Sequence, residues 1–317
     1  MKKTAVLIPC YNEEKTIASV VHDFKARLPD ADIYVYDNNS TDRTAAVAQQ
    51  AGALVSSETR QGKGHVIRSM FRDIDADIYV MVDGDNTYPA DQVHNLIAPI
   101  IAGEADMVCG SRLHPAAKSD FKRLNWVGNK IFLYLLNVIF NVRITDILSG
   151  YRAFNQNFVK SIPILSRGFE IETELTLKAI ERRYRIVEIP VDLSSRPAGS
   201  ISKIRIVRDG FLILGTIFAL LRDYKPLTAF GLAGLFFVFL GFIPGVIVIN
   251  EFFRTGFILH IPSAILAVGL VLTGILIAFA GLILHTLSRR FQELDCQLQN
   301  LHELHLKQFT NENSKNV

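Results

Sequence analysis

Two aspartates separated by a residue without a side chain, Asp83-Gly84-Asp85, follow the apolar run Ile78 to Val82. Hard divalent cations take carboxylate oxygens and leave coordination positions for phosphate oxygens, so this triplet can hold a metal against a diphosphate. Taken alone it reads first as an acidic turn, because Asp-Gly pairs form turns readily. Asp37-Asn38-Asn39-Ser40-Thr41-Asp42 ends an earlier apolar run, where Asp37 can accept hydrogen bonds from a base or ribose and Asp42 can cap the following helix. Gly62-Lys63-Gly64 opens a further helix and supplies either a cation for a phosphate or a solvated loop lysine.

These loops need a scaffold that gathers them. Up to about residue 110, short apolar runs alternate with polar helical stretches, the pattern of a parallel sheet with crossover helices. Strands are expected at Ala5 to Pro9, Asp32 to Tyr36, Ala53 to Val55, Ile78 to Val82 and Met107 to Cys109, and helices at Glu14 to Arg27, Asp42 to Gln50, Lys63 to Arg72 and Asp91 to Ile101. The polar loops then lie at the carboxyl ends of strands, where open α/β sheets bind ligands. The second half is less regular. Ile131 to Phe140 is too short to span a bilayer and suits a core or an interfacial helix; Gly210 to Leu221, bounded by charges, suits a helix in the headgroup region better than a core helix.

Charge is distributed unevenly along the 317 residues, which carry 34 Lys and Arg against 31 Asp and Glu. Residues 226 to 287 hold only Glu251 and Arg254, too apolar for a water-facing surface. Leu227 to Ile249 and Ile261 to Leu287 are each long enough to cross about 30 Å of hydrocarbon, which predicts two transmembrane helices joined by a loop at Asn250 to His260. Pro244 predicts a kink, and Gly241 and Gly245 a face of small residues for helix packing. Basic residues cluster before the first span and after the second, so the α/β domain and both termini are expected in the cytoplasm. The tail after Arg290 reads as a solvated helix with one apolar stripe or a short coiled coil.

A net charge of +3 with no basic block among interleaved aromatics argues against a nucleic-acid partner. Cys10, Cys109 and Cys296 have no CxxC spacing and read as reduced structural thiols. The N-terminal apolar run, broken at Pro9, reads as a buried strand rather than a signal peptide.

In identity and order, IPCYNEE, DNNSTDRT, GKG and DGD resemble the loops of the family 2 glycosyltransferases, and the likeness continues through GSR at Gly110, TDILSGYRAF at Thr145, GFEIETEL at Gly168 and RPAGSISK at Arg196. With the apolar pair that follows, the chain is similar to the polyprenyl-phosphate branch of that family. The resemblance implies a GT-A (Rossmann-like) mixed-sheet α/β domain over 1–203, an interfacial helix over 204–225, a transmembrane hairpin over 226–288 and a cytoplasmic tail over 289–317. It implies inverting transfer of a sugar from a nucleotide diphosphate sugar, UDP favoured, to polyprenyl phosphate at the cytoplasmic face of an inner membrane, by a homo-oligomer. A membrane-tethered enzyme with a saccharide hydroxyl as acceptor is the alternative.

By the same likeness Pro9, Tyr11, Glu13, Asp37 and Lys63 line the nucleotide-sugar site, with Asp83 and Asp85 holding Mg²⁺ or Mn²⁺. Arg112 and Arg123 meet the acceptor phosphate, beside Asp146. Arg152, Arg196, Ser200 and Lys203 offer further phosphate contacts. A phosphate acceptor is already anionic, so Asp146 is expected to position it rather than take a proton. Glu170, Glu172 and Glu174 lie along a strand or on adjacent helix faces, at least one of them structural. Two departures from the family pattern stand out: Thr87 replaces a glutamine common after the acidic pair, and Asn38 replaces a carboxylate common in the second loop.

Overall fold

A computed structural model describes residues 2–112, 133–134, 136–138, 140, 142–168, 171–193, 222 and 224–315. The chain forms two compact units, Met1–Lys203 and Ile204–Val317.

Five strands of the first unit match the expected runs: β1 (Thr4–Cys10), β2 (Asp32–Asp37), β3 (Leu54–Ser57), β4 (Ile78–Met81) and β5 (Met107–Ser111). Helices α1 (Ile17–Arg27), α2 (Thr44–Gln50), α3 (Lys63–Asp73) and α4 (Val93–Ile101) alternate with them. Two more strands, β6 (Arg152–Asn155) and β7 (Ile186–Pro190), complete a seven-stranded sheet of order β3-β2-β1-β4-β6-β5-β7. β6 runs antiparallel to both β4 and β5, which makes the sheet mixed. Helices α5 (Gln156–Ser161) and α6 (Ile171–Glu181) lie between β6 and β7 in sequence.

Alternating residues of β1 face opposite sides of the sheet, and both sides are covered. Val6 and Ile8 pack with Ile17, Val20, Phe24 and Val93; Ala5 and Leu7 pack with Ile67, Met70, Tyr79 and Phe158. Burial on both faces is why these strands read as unbroken apolar runs. α1 starts three residues later than the sequence predicts: residues 14–16 form a turn, and the half-buried Glu14 accepts from the backbone N–H of Arg43 at 3.1 Å. The described residues between 133 and 140 are helical, with Leu133 and Leu136 buried and Tyr134 and Val138 exposed. Cys10 and Cys109 are buried free thiols. The stretch Gly210 to Leu221 lies outside the described residues.

The second unit contains α7 (Pro226–Thr255) and α8 (Ile261–Lys315). Each is long and apolar enough to cross a membrane, over Pro226–Thr255 and Ile261–Leu294. The connection is shorter than the sequence predicts. Helix continues through Glu251 and Arg254 until Gly256, whose φ of 72° supplies the left-handed turn that ends it. A close approach of the two backbones lies away from the expected Gly241 and Gly245. A Cβ on Gly234 or on Gly274 would lie 2.5 Å from the other's carbonyl oxygen, whereas Gly245 makes only ordinary contact with Ala267. Gly241 does sit in the interface, against Ala267, Leu270 and Val271.

Candidate active site

The carboxyl ends of β1, β2, β4 and β5 carry the loops in which the sequence places chemistry. Two of these loops are fastened to each other. Asn12, at φ 57°, accepts the Thr41 N–H at 2.8 Å while its own N–H donates to Ser40 Oγ at 2.9 Å. Glu13 N–H donates to the buried Thr44 hydroxyl at 2.8 Å. Asp42 accepts from the N–H groups of Glu14 and Thr44, but the N-cap position of α2 is Arg43, one residue after the cap expected from the sequence. Pro9 lies on β1 beside Tyr36, and Tyr11 exposes half its surface just beyond the strand.

Asp37 closes β2. Its Oδ2 accepts from Ser40 N–H at 3.1 Å, but Oδ1 is buried without a hydrogen-bond partner among the described residues. A buried carboxylate oxygen needs a donor, and a base N–H or ribose hydroxyl supplies one. Asn38, in contrast, is spent on the protein. Its amide donates to the carbonyls of Glu58 and Arg60, and its Oδ1 accepts from Gly62 N–H at 2.7 Å. The departure from the common carboxylate therefore builds the approach to Gly62-Lys63-Gly64 rather than altering a ligand contact.

Lys63 reaches from the start of α3 to Asp83 Oδ1 and to Glu172 Oε1, 2.5 Å from each. Burial alone would lower its pKa, but Asp83 and then Glu172 outweigh that and hold the ammonium well above the ordinary lysine range. The spacing is enforced by backbone contact. Gly64 N–H donates to Arg167 carbonyl at 3.2 Å, and a Cβ on Gly62 or Gly64 would strike the carbonyl of Arg167 or Ser166. Glu172 lies in the first turn of α6, so that segment is a helix, not a strand. Glu174 is the structural member of the acidic group, paired with Lys178 at 2.8 Å and accepting from Leu165 and Ser166 N–H. Glu170 lies outside the described residues.

Asp83 and Asp85 follow β4, with Asp85 Oδ1 accepting Thr87 N–H at 3.1 Å. Acidic crowding registers at Glu13, whose pKa is raised by burial and then by the Asp85 charge. No cluster of three His, Cys, Asp or Glu side chains encloses a metal among the described residues. Asp83, whose side chain is 32% exposed, and Asp85 nonetheless supply carboxylate oxygens at one strand end, the donor chemistry that Mg²⁺ or Mn²⁺ uses against a diphosphate, so the residues fit such an ion.

On the other side of the same edge, Asp146 is fully buried. It accepts from Arg112 through Nε at 2.7 Å, Nη2 at 3.0 Å and the backbone N–H at 3.0 Å, and from Leu148 N–H at 3.2 Å. Burial works against the Arg112 charge, but this carboxylate more than offsets it and raises the guanidinium's pKa. Glu188 on β7 holds the loop by accepting from Thr145 N–H, Thr145 Oγ1 and Asp146 N–H. Tyr88 Oη accepts Gly150 N–H at 3.0 Å, and burial pushes its phenol up to about 12. Glu188 and Tyr88 are the contributors that the sequence reading missed, and their signal is long-range: each acts on a loop more than forty residues away.

Arg152 is a correction. It was expected at a phosphate, but it is completely buried on β6 and donates to the carbonyls of Ile147 and Ser149 and to Thr176 Oγ1. A guanidinium spent inside the core braces the 145–151 loop from beneath. Arg123, Arg196, Ser200 and Lys203 lie outside the described residues.

Residues 5–162 match the family described as Glycosyl transferase family 2. The chain is 35% identical over 230 residues to "Glycosyltransferase AglJ" of Haloferax volcanii, covering 72% of this chain and 75% of that relative. It is 30% identical over 194 residues to a "Dolichyl-phosphate hexose transferase" of the same organism, covering 61% and 83%. Among solved structures it resembles glucosyl-3-phosphoglycerate synthase from Mycobacterium tuberculosis in complex with Mn²⁺, UDP-glucose and phosphoglyceric acid, with a TM-score of 0.57 and 22% identity over 69% of this chain and 79% of that one. That likeness bears out the mixed-sheet GT-A fold.

Proposed function

The chain belongs to glycosyl transferase family 2, and we propose that it transfers a sugar from a nucleotide diphosphate sugar, UDP favoured, to the phosphate of a membrane polyprenol. The anomeric carbon's bond to the diphosphate breaks, a bond to the acceptor phosphate oxygen forms with inversion, and the nucleoside diphosphate leaves. In this reading Asp37 takes a donor from the base or ribose, with Pro9, Tyr11 and Glu13 around it. Asp83 and Asp85 hold Mg²⁺ or Mn²⁺, which when bound offsets the charge of the leaving diphosphate. Lys63 adds a cation beside Asp83.

The observation that carries the choice of acceptor is the state of Asp146. A fully buried carboxylate that accepts four N–H groups is an orienting group, poorly placed to remove a proton. A sugar hydroxyl needs a base, whereas a phosphate monoester arrives ionised. Arg112, fixed by Asp146, is the guanidinium assigned to that phosphate, since its planar fork matches phosphate oxygens. The dolichyl-phosphate hexose transferase relative and the two apolar helices support the same acceptor class.

The proposal includes a catalytic domain over 1–203, an interfacial helix over 204–225, the hairpin over 226–288 and a tail over 289–317, with the domain and both termini in the cytoplasm and homo-oligomeric assembly. It is tested by incubating the detergent-purified protein with undecaprenyl phosphate and a panel of radiolabelled nucleotide sugars, with and without Mn²⁺. Label moving into the chloroform phase from one donor, only with metal, supports the reading. Label remaining in water with every donor rejects it.

A further inference from the structure

The residue that the proposed chemistry leaves unexplained is Glu172. Its side chain is 6% exposed and that of Lys63 10%, so their contact is an ion pair largely withdrawn from water. Asp83, the ammonium's other partner, is 32% exposed and is the one carboxylate of the three-membered chain that opens toward the acidic edge of the sheet. A buried cation that loses its counter-ion is strongly destabilising. If Lys63 depended on Asp83 alone, a metal ion drawing on the Asp83 charge would leave an unpaired ammonium beside a dication.

We propose that Glu172 is a positioning residue that keeps Lys63 neutralised while Asp83 serves the divalent ion, so that metal affinity depends on a carboxylate that does not touch the metal. This rests on the reading of Asp83 and Asp85 as metal ligands.

The surroundings hold Glu172 to this task. Its backbone carbonyl accepts Thr176 Oγ1 at 2.9 Å, and Thr176 Oγ1 accepts Arg152 Nη1 at 2.8 Å. The buried arginine of β6 therefore braces the first turn of α6. The backbone contacts of Gly62 and Gly64 with Ser166 and Arg167 fix the other end of the pair. These attachments hold the backbone segments that carry Lys63 and Glu172 next to each other.

The test is Mn²⁺ binding by the full-length, detergent-purified protein, followed by electron paramagnetic resonance with Mn²⁺ as the sole ligand. Glu172→Gln is expected to weaken Mn²⁺ binding on the order of 10-fold, the size of effect seen when a group behind the metal ligands is removed. Adding Lys63→Met to that variant removes the stranded ammonium and is expected to restore Mn²⁺ affinity to near the wild-type value. A Glu172→Gln protein that melts earlier but binds Mn²⁺ as wild type does, or a double variant as weak as the single, overturns the inference. Where Glu172→Gln alone does not fold, the double variant, which buries no unpaired charge, still decides: near-wild-type affinity supports the inference and a loss on the scale expected for the single variant overturns it. Asp85→Ala separates the two claims. Wild-type protein that takes up no more Mn²⁺ than Asp85→Ala does defeats the metal reading itself, whereas loss of Mn²⁺ confined to Asp85→Ala defeats only the role of Glu172.

Discussion

A Cβ built on Gly150 would strike Oδ2 of Asp83, closer than real Cβ atoms come to any neighbour. Gly150 belongs to the loop that carries Asp146, so the carboxylate assigned to the donor's metal and the loop assigned to the acceptor share one contact surface. Tyr88 reinforces the junction by accepting Gly150 N–H from the far side of the Asp83-Gly84-Asp85 turn. Gly150→Ala is therefore expected to displace Asp83, with an overpacking cost of about 1–3 kcal/mol. Calorimetric Mn²⁺ titration and a thermal melt check it together: both metal affinity and Tm should fall.

Asp37 predicts a separation of binding from stability. Its Oδ1 is already buried without a partner, so Asp37→Asn takes no protein hydrogen bond from that atom. Nucleotide affinity should drop about 10-fold, the equivalent of one lost hydrogen bond to a charged group, with Tm unchanged or slightly higher. Equilibrium binding of uridine diphosphate beside a melt reads both.

The Arg112 and Asp146 pair should respond unequally. Asp146→Ala strands a buried guanidinium and should destabilise the fold by about 3 kcal/mol. Arg112→Lys keeps the charge but not the planar fork, so the protein should remain folded while kcat falls on the order of 100-fold. Steady-state transfer and thermal melts of the two variants distinguish these outcomes.

Acid stability offers a prediction away from the chemistry. The Arg60 guanidinium, with help from Ser69, holds the Glu58 carboxyl far below the usual carboxylate range despite its burial. A depressed folded pKa stabilises above the unfolded value of about 4.3 and is lost as pH falls through the folded one. Glu58→Gln should lower Tm at neutral pH, and the gap from wild type should narrow progressively below about pH 4. Melts between pH 7 and pH 2.5 measure it.

Much of this was legible in the sequence because β1, β2 and β4 are buried on both faces and end in polar loops, so the sites of Asp37, Lys63, Asp83 and Asp85 were marked by abrupt changes of composition. β6 was not legible. Arg152 and Asn155 interrupt the apolar signal of a four-residue strand, and its place between β4 and β5 depends on pairings more than seventy residues distant with the first and more than forty with the second. For the same reason Arg152 read as a phosphate ligand: an arginine after a loop looks solvated until the strand order encloses it. Asn38 and Glu188 act on backbone groups brought near only by folding, and no local pattern announces such partners. Glu172 was visible as part of an acidic group, but only the close approach of the 166–167 backbone to Gly62 and Gly64 shows which of its neighbours it serves.

A lipid phosphate acceptor can be observed by ³¹P nuclear magnetic resonance of undecaprenyl phosphate turned over by the purified protein with the donor it uses. The phosphomonoester signal is expected to give way to that of a phosphodiester, only with Mn²⁺ or Mg²⁺ and not with Asp85→Ala. A monoester signal that persists while the same sugar is transferred to a saccharide hydroxyl would contradict it.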